Sequence, residues 1–153
     1  MYVAAFAPDE GETLGGLAQP YGATPLFAEV NPIADGFLLL TEKGISEDFA
    51  QDLSVEEKST MFATQGATQS AVLGTPIGKA AWRTKPSWFV VAANDRGISP
   101  EQQKMTAKRM GAKVLTVPTS HVAMLAEPQK VAAFILEAAA SIGASAPTGV
   151  AAA

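Results

Sequence analysis

Three short apolar runs constrain the fold of this chain more than any other feature. They span residues 2–6 (YVAAF), 88–93 (WFVVAA) and 113–117 (KVLTV). A strand with one face in solvent alternates apolar and polar residues, whereas a strand covered on both faces is apolar nearly throughout. The runs therefore predict three fully buried strands of a parallel sheet, which places the chain in the α/β class.

A helix is predicted between the last two strands. Ser99 and Pro100 begin it, Gln102 stands at the capping-box position, and Gly111 follows its end. Strand, helix and strand then form one right-handed βαβ unit.

A second helix is predicted after the last strand, beginning at Glu127 and Pro128 and ending near Gly143. Its apolar residues fall at helical spacing and should cover one face of the sheet: Val131, Phe134, Ile135 and Ala138. The remaining residues 144–153 are small and of low complexity, so we predict a disordered tail.

Residues from about 20 to 86 are too many for an ordinary connection between two strands. They contain their own helix signal, because Ser54 can cap a helix that runs through Met61 and Gln65, with Glu57 at the capping-box position. Residues 36–41 could form a short strand or hairpin arm. We therefore predict a helical lid inserted at about 20–86 within a domain that spans residues 1–143.

Composition excludes several classes of function. The net charge of −4 and the absence of any Lys or Arg cluster argue against nucleic acid and anionic membranes as partners. The chain has no cysteine, so a thiolate nucleophile, a disulfide framework and a Cys zinc site are excluded, and a reducing cytoplasm is the expected location. No run approaches the ~20 apolar residues of a membrane span, and nothing predicts a metal or a cofactor.

Two loop residues, Asp95 and His121, could carry chemistry together. Each follows the carboxyl end of a predicted strand, and parallel neighbours place those ends side by side although 26 residues separate the two in sequence. The carboxylate would accept the Nδ1 proton of His121, the only histidine in the chain, and leave Nε2 as a base. Taken singly, His121 could equally be a structural histidine and Asp95 a turn residue.

A family resemblance rests on the run KPSWFVVAANDRGISPEQQKMTAKRMGAKVLTVPTSHVAMLAEPQKVAAFI. This pattern resembles the closing third of α/β-hydrolases, in the small esterase group that includes plant-type methylesterases and hydroxynitrile lyases. Upstream, YVAAFAPDEGE resembles the sixth strand of that group and GFLLLTEKGISEDFAQDLSVEEKSTMFATQ resembles its lid. The resemblance implies a partial α/β-hydrolase fold with a three-stranded parallel sheet, flanking helices and a helical lid.

The resemblance also implies a function. Asp95 and His121 match the acid and the base of the family's Ser-His-Asp triad, and the substrate would be a small ester or a related acyl compound. The lid, including Trp82 near its exit, would shape the substrate pocket.

The chain departs from the family pattern because it contains no Gly-x-Ser-x-Gly, the elbow that carries the nucleophile. Ser120 and Ser70 lack the flanking glycines and are poor substitutes. We therefore expect this chain to be a C-terminal portion that begins within a fold and is inactive alone.

Two alternatives stay open. The chain could be a non-catalytic interaction module, since its first strand would lack a neighbour and could pair with an N-terminal half or with a second copy. The parent could instead be a hydroxynitrile lyase, for which the usual clue is a lid lysine near the substrate. The candidates are Lys43, Lys58, Lys79 and Lys85.

Overall fold

The computed structural model describes residues 1–143, so the tail predicted at 144–153 lies outside the described residues. Its strands are β1 (Tyr2–Val3), β2 (Val30–Pro32), β3 (Phe37–Leu40), β4 (Thr68–Gln69), β5 (Trp88–Ala92) and β6 (Lys113–Val117). Its α-helices are α1 (Leu14–Ala18), α2 (Val55–Thr64), α3 (Pro100–Arg109), α4 (Ala123–Ala126) and α5 (Pro128–Gly143). Short 3₁₀ turns and one π-helical turn, Gly44–Phe49, connect them.

The predicted parallel sheet is confirmed, with the order β1-β5-β6. Every residue of the central strand β5 is buried, because a helix covers each of its faces. Phe89 and Val91 pack in one apolar cluster with residues of α3, and Val90 packs on the other side with Phe134 of α5. Each fully buried side chain of this kind contributes about 1.5–3 kcal/mol to stability, so β5 is the centre of the core.

All three strands differ from the sequence expectation, although β5 differs only in ending one residue early, at Ala92. β1 is shorter than residues 2–6: Ala4 still donates its N–H to Val90 O at 3.0 Å, but its φ of +43° turns the chain out of the sheet. β6 has the predicted bounds but is not fully buried, since it lies at an edge of the sheet and only Val117 is buried. Val114 stays 47% exposed.

The predicted helices exist, but two of their details were wrong. Ser99 makes no side-chain capping bond, and Gln102 Nε2 donates instead to Leu17 O at 2.8 Å. The end of α3 is as predicted, because Gly111 adopts the left-handed φ of +60° that favours glycine. In α5, Ile135 is 47% exposed, so the face that packs on the sheet is narrower than its sequence pattern predicts.

The connection between β1 and β5 holds a second sheet. Its strands are antiparallel in the order β2-β3-β4. The predicted helix is confirmed as α2, with a complete capping box between Ser54 and Glu57. The side-chain amide of Gln65 then binds both the N–H and the C=O of Leu40, at 2.9 and 3.0 Å, which ties the end of α2 to β3. Whether residues 20–86 act as a separate lid stays a prediction.

A polar cluster fastens the two ends of this connection to α3. The Arg109 guanidinium binds both carboxylate oxygens of Glu12, at 2.8 and 2.9 Å, and donates to Ala7 O at 2.6 Å. It also lies 5.4 Å from the Trp82 ring centroid, and Trp82 Nε1 donates to Pro8 O at 3.0 Å. The hydrogen bond from the backbone of Asp9, together with Arg109, lowers the pKa of Glu12.

We predict that Arg109→Met lowers the free energy of unfolding by about 1–2 kcal/mol, since it removes charge-assisted hydrogen bonds that are partly exposed. Lys108→Met is the matched control, because Lys108 is exposed on the same helix and forms no ion pair within residues 1–143. Urea unfolding measures both. Folding lowers the pKa of Glu12. The ionised Glu12 carboxylate therefore adds to the free energy of unfolding at any pH above its pKa in the unfolded chain, and this stabilisation is lost as the pH falls through its pKa in the folded chain. Equal stability of the two variants at neutral pH would contradict this role of Arg109.

Candidate active site

The loops after β5 and β6 lie side by side at one rim of the parallel sheet. The ladder continues past the strands, because Ala93 N donates to Val117 O at 2.8 Å and Asn94 N to Thr119 O at 3.0 Å. Asp95 lies in the first loop, directly after Asn94, and His121 lies in the second loop, two residues after Thr119. This rim is the place where open α/β sheets bind ligands.

The structure brings Asp95 and His121 together. Asp95 Oδ2 lies 2.8 Å from His121 Nδ1. The Asp95 side chain is fully buried, whereas 23% of the His121 side chain is exposed. An ionised carboxylate can only accept a hydrogen bond, so in the neutral imidazole the proton sits on Nδ1 and Nε2 keeps its lone pair. The pair therefore has the geometry of an acid that orients a base; its catalytic role stays a prediction.

Three further donors compensate the buried negative charge of Asp95. The N–H groups of Gly97 and Ile98 bind Oδ1 at 2.7 and 3.0 Å, and Gln103 Nε2 binds Oδ2 at 2.6 Å. A buried carboxylate without such partners would cost several kcal/mol. These bonds also fix which way the carboxylate faces, and hence where it holds the imidazole.

Gln103 is a site residue that sequence reasoning missed. Its side chain is fully buried: Nε2 also donates to Ile98 O at 2.8 Å, and Oε1 accepts from Ala92 N at 2.9 Å. One signal was available. Ala107 and Met110 are apolar residues of α3 and its C-cap, and Gln103 precedes them by four and seven positions, which places it on their face of the helix. A polar residue there must have a partner.

Gly97 allows the β1–β5 connection to approach the pair closely. A Cβ at this position would lie 2.8 Å from Leu26 Cδ2, 3.3 Å from Asp95 Oδ1 and 3.5 Å from His121 Nδ1. The approach is held by Leu26 N, which donates to Arg96 O at 3.2 Å, and by Thr24 Oγ1, which donates to Gly97 O at 3.0 Å.

An apolar cavity of about 870 Å³ lies beside the pair, with Gly97 and Phe49 in its wall. Phe49 also packs on the His121 ring, at 4.8 Å between centroids. The other lining residues come mainly from the connection, and none of the lining residues is charged: Phe6, Leu14, Gly15, Ala18, Gln19, Gly22, Ala23, Thr24, Leu26, Phe27, Val30, Leu38, Leu39, Leu40, Ile45, Met61, Gln65, Gly66, Thr68, Leu73 and Gln102. This volume suits a small organic molecule.

Five residues considered for a role at the pocket, Trp82 and the four lysines, are absent from the cavity wall. Trp82 is absent from the cavity wall and is buried in the core cluster with Ala7 and Phe89, because its ring packs beneath β5 instead of facing the cavity. None of the four candidate lysines lines the cavity. Lys43 binds Glu29 at 2.6 Å instead, so the clue expected for a lyase is missing from this cavity.

Neither serine considered as a nucleophile has a triad arrangement within residues 1–143. The Ser120 hydroxyl is buried without a hydrogen-bond partner, and Ser70 begins a 3₁₀ turn after β4 in the other sheet. Within the same residues, no group of three or more acidic or histidine side chains could hold a metal ion. No helix in that range is long and apolar enough to cross a membrane.

The chain is similar to known proteins in sequence and in fold. The sequence model of a family described as "Alpha/beta hydrolase family" matches residues 1–134. No curated protein matches the sequence significantly.

Among solved structures, polyneuridine aldehyde esterase is similar with a TM-score of 0.75 at 16% identity, over 90% of this chain and 60% of that one. A pyrethroid hydrolase from Sphingobium faniae JZ-2 is similar with a TM-score of 0.67 at 19% identity, over 89% of this chain and 58% of that one. A methylesterase from Arabidopsis is similar with a TM-score of 0.64 at 15% identity, over 91% and 57%. The chain thus shares their fold and spans about three fifths of their length.

We predict that Gln103→Leu destabilises the chain by about 2–4 kcal/mol, since it leaves the Ala92 N–H and one carboxylate oxygen of Asp95 short of a buried partner. Gln102→Leu is the matched control: Gln102 is also buried on α3, but it makes only the bond to Leu17 O. Denaturant unfolding measures both variants. A Gln103→Leu variant as stable as Gln102→Leu would show that Gln103 does not support Asp95.

Proposed function

The chain belongs to the alpha/beta hydrolase family, and from this premise we propose that it is the C-terminal portion of a serine-dependent, esterase-like hydrolase. Asp95 and His121 are its acid and base, and the substrate is a small ester or a related acyl compound. The observation that carries the proposal is the 2.8 Å contact between the Asp95 carboxylate and His121 Nδ1, at the sheet rim beside an uncharged cavity.

The chemistry follows from the tautomer. With its proton held on Nδ1 by Asp95, His121 presents Nε2 as a general base that takes the proton of a serine hydroxyl as that oxygen attacks the ester carbonyl. Asp95 stabilises the imidazolium formed. His121 then gives the proton to the departing alkoxide, and the same cycle run with water releases the acid.

The cavity favours a neutral substrate. Its wall holds no charged side chain, so a carboxylate or ammonium group would lose its hydration there without gaining a partner. Apolar acyl or alcohol groups would gain by burial against leucine and phenylalanine side chains. The esterase and hydrolase names of the similar structures agree with this class of substrate.

We propose that the nucleophile and the oxyanion hole lie outside these 153 residues, since no Gly-x-Ser-x-Gly occurs among them. Removing the serine of a triad costs on the order of 10⁶ in turnover, so the chain alone is expected to be inactive. An N-terminal segment would join through β1, which ends the sheet with one unpaired side and whose residues are only half-buried. A second copy pairing at the same edge is the competing outcome.

A fluorophosphonate probe, which reacts with activated serines, tests the proposal. We predict that the 153-residue chain stays unlabelled and that the chain extended by its upstream reading frame is labelled at a Gly-x-Ser-x-Gly serine. Replacing His121 by Gln in the extended protein should lower labelling and ester turnover by about 10⁴-fold or more. Lys130→Gln on α5 is the control, because Lys130 pairs only with Glu127 within residues 1–143.

Two results would contradict the proposal. One is labelling of the 153-residue chain at any of its own serines. The other is an extended protein that carries the elbow and hydrolyses esters equally well with Gln at position 121.

A further inference from the structure

Four of five consecutive residues in the β1–β5 connection contact the two site loops through their side chains. Two of the contacts reach the loop of Asp95: Asp48 Oδ1 lies 2.9 Å from Arg96 Nε, and Gln51 Nε2 donates to Asn94 O at 2.7 Å. The other two reach the loop of His121: the Phe49 ring lies 4.8 Å from the His121 ring between centroids, and Asp52 Oδ2 accepts from Ser120 N at 2.7 Å.

We propose that residues 48–52 are a positioning element for His121, with Asp52 holding its loop and Phe49 holding its ring. This inference rests on the proposed function for the role of His121 as the base. It goes beyond that function because it assigns the positioning of the His121 imidazole to a segment whose Phe49 also lines the cavity.

The segment is anchored on its N-terminal side. Its first two residues end the π-helical turn Gly44–Phe49. The next residue, Ala50, is fully buried and donates its N–H to Ile45 O at 2.9 Å. A Cβ on Gly44 would lie only 2.6 Å from Glu29 Cβ, so glycine is needed for this close packing. π-helical turns are rare and frequently occur at functional sites.

Asp52 holds the backbone just before His121. Ser120 is buried, and its N–H donates to the Asp52 carboxylate, a charge-assisted bond that crosses 68 positions of sequence. Without that acceptor, the Ser120 N–H would have no protein partner and would depend on water or on a shift of the loop. The bond therefore fixes the loop from which the imidazole projects.

Phe49 holds the ring itself. It covers His121 with an interplanar angle of 33°, while Asp95 binds one ring nitrogen. The carboxylate alone leaves the ring free to tilt about the hydrogen bond. An aromatic contact against its face removes that freedom, and it involves neither ring nitrogen in a hydrogen bond. Because Phe49 also lines the cavity, the base and the substrate pocket share one wall residue.

The test uses the whole 153-residue chain and its single histidine, whose imidazole NMR signals need no residue assignment. We expect Asp52→Ala to speed hydrogen exchange of the Ser120 amide by about tenfold or more. Asp52→Asn, which keeps an acceptor oxygen, should restore protection to within about threefold. Phe49→Ala should shift the imidazole C–H resonances, because the ring current of Phe49 is lost, and should lower the fraction of His121 protonated on Nδ1. Phe27→Ala is the control, since Phe27 lines the same cavity without an aromatic contact to His121.

Unchanged Ser120 exchange in Asp52→Ala would overturn the proposal, as would imidazole signals that respond equally to Phe49→Ala and Phe27→Ala. Exchange of the β5 amides reports whether each variant keeps its fold. Asp52 is exposed, so its two variants remain decisive even where a cavity variant unfolds. None of these measurements depends on turnover. An extended protein that never reacts with the fluorophosphonate would thus defeat the proposed function without affecting this result.

Discussion

The buried carboxylate of Asp95 is the interaction on which the rest of the site depends. A charge removed from water is stable only where enough donors surround it. Here two backbone N–H groups, a glutamine side chain and the imidazole supply them. The turn after β5 supplies two of these donors, α3 supplies one and the loop after β6 supplies one. The hydrogen bonds to this one carboxylate therefore fix the positions of the turn, the helix and the loop relative to one another.

The long β1–β5 connection supplies what the parallel sheet cannot. A sheet rim presents two polar side chains but no enclosed volume. The antiparallel sheet, α2 and the π-helical turn build an uncharged cavity beside that rim, and Gly97 lets the connection approach within contact distance. The same connection places Phe49 against the imidazole. The β1–β5 connection thus supplies both the uncharged cavity and the aromatic contact with the imidazole.

Local and periodic features of this chain were readable from its sequence. Continuous apolar runs identified β5 and β6, the Ser54 capping box identified α2, and Gly111 marked the end of α3. Parallel topology alone was enough to predict that the loops of Asp95 and His121 meet. These inferences work because they depend on neighbouring residues or on a general rule of strand order.

The remaining features depend on tertiary contacts that leave little trace in a sequence. The strands β2 and β4 are two or three residues long and carry no periodicity, so their sheet was not predicted. Trp82 was placed at the pocket by analogy, whereas its indole is buried in the core. The Gln103 bond to Asp95 crosses from a helix to a loop, and the Phe49 contact crosses from the connection to the far edge of the sheet. Burial of β6 was overestimated, because sequence does not reveal which strand lies at an edge.

The most direct measurement is the protonation of the two imidazole nitrogens of His121, observed by long-range ¹H–¹⁵N correlation in the ¹⁵N-labelled chain with its ring in the neutral form. The account predicts a single tautomer with the proton on Nδ1, and loss of that preference in Asp95→Asn. A wild-type ring protonated mainly on Nε2, or one whose tautomer is unaffected by Asp95→Asn, would contradict the claim that this carboxylate orients a base.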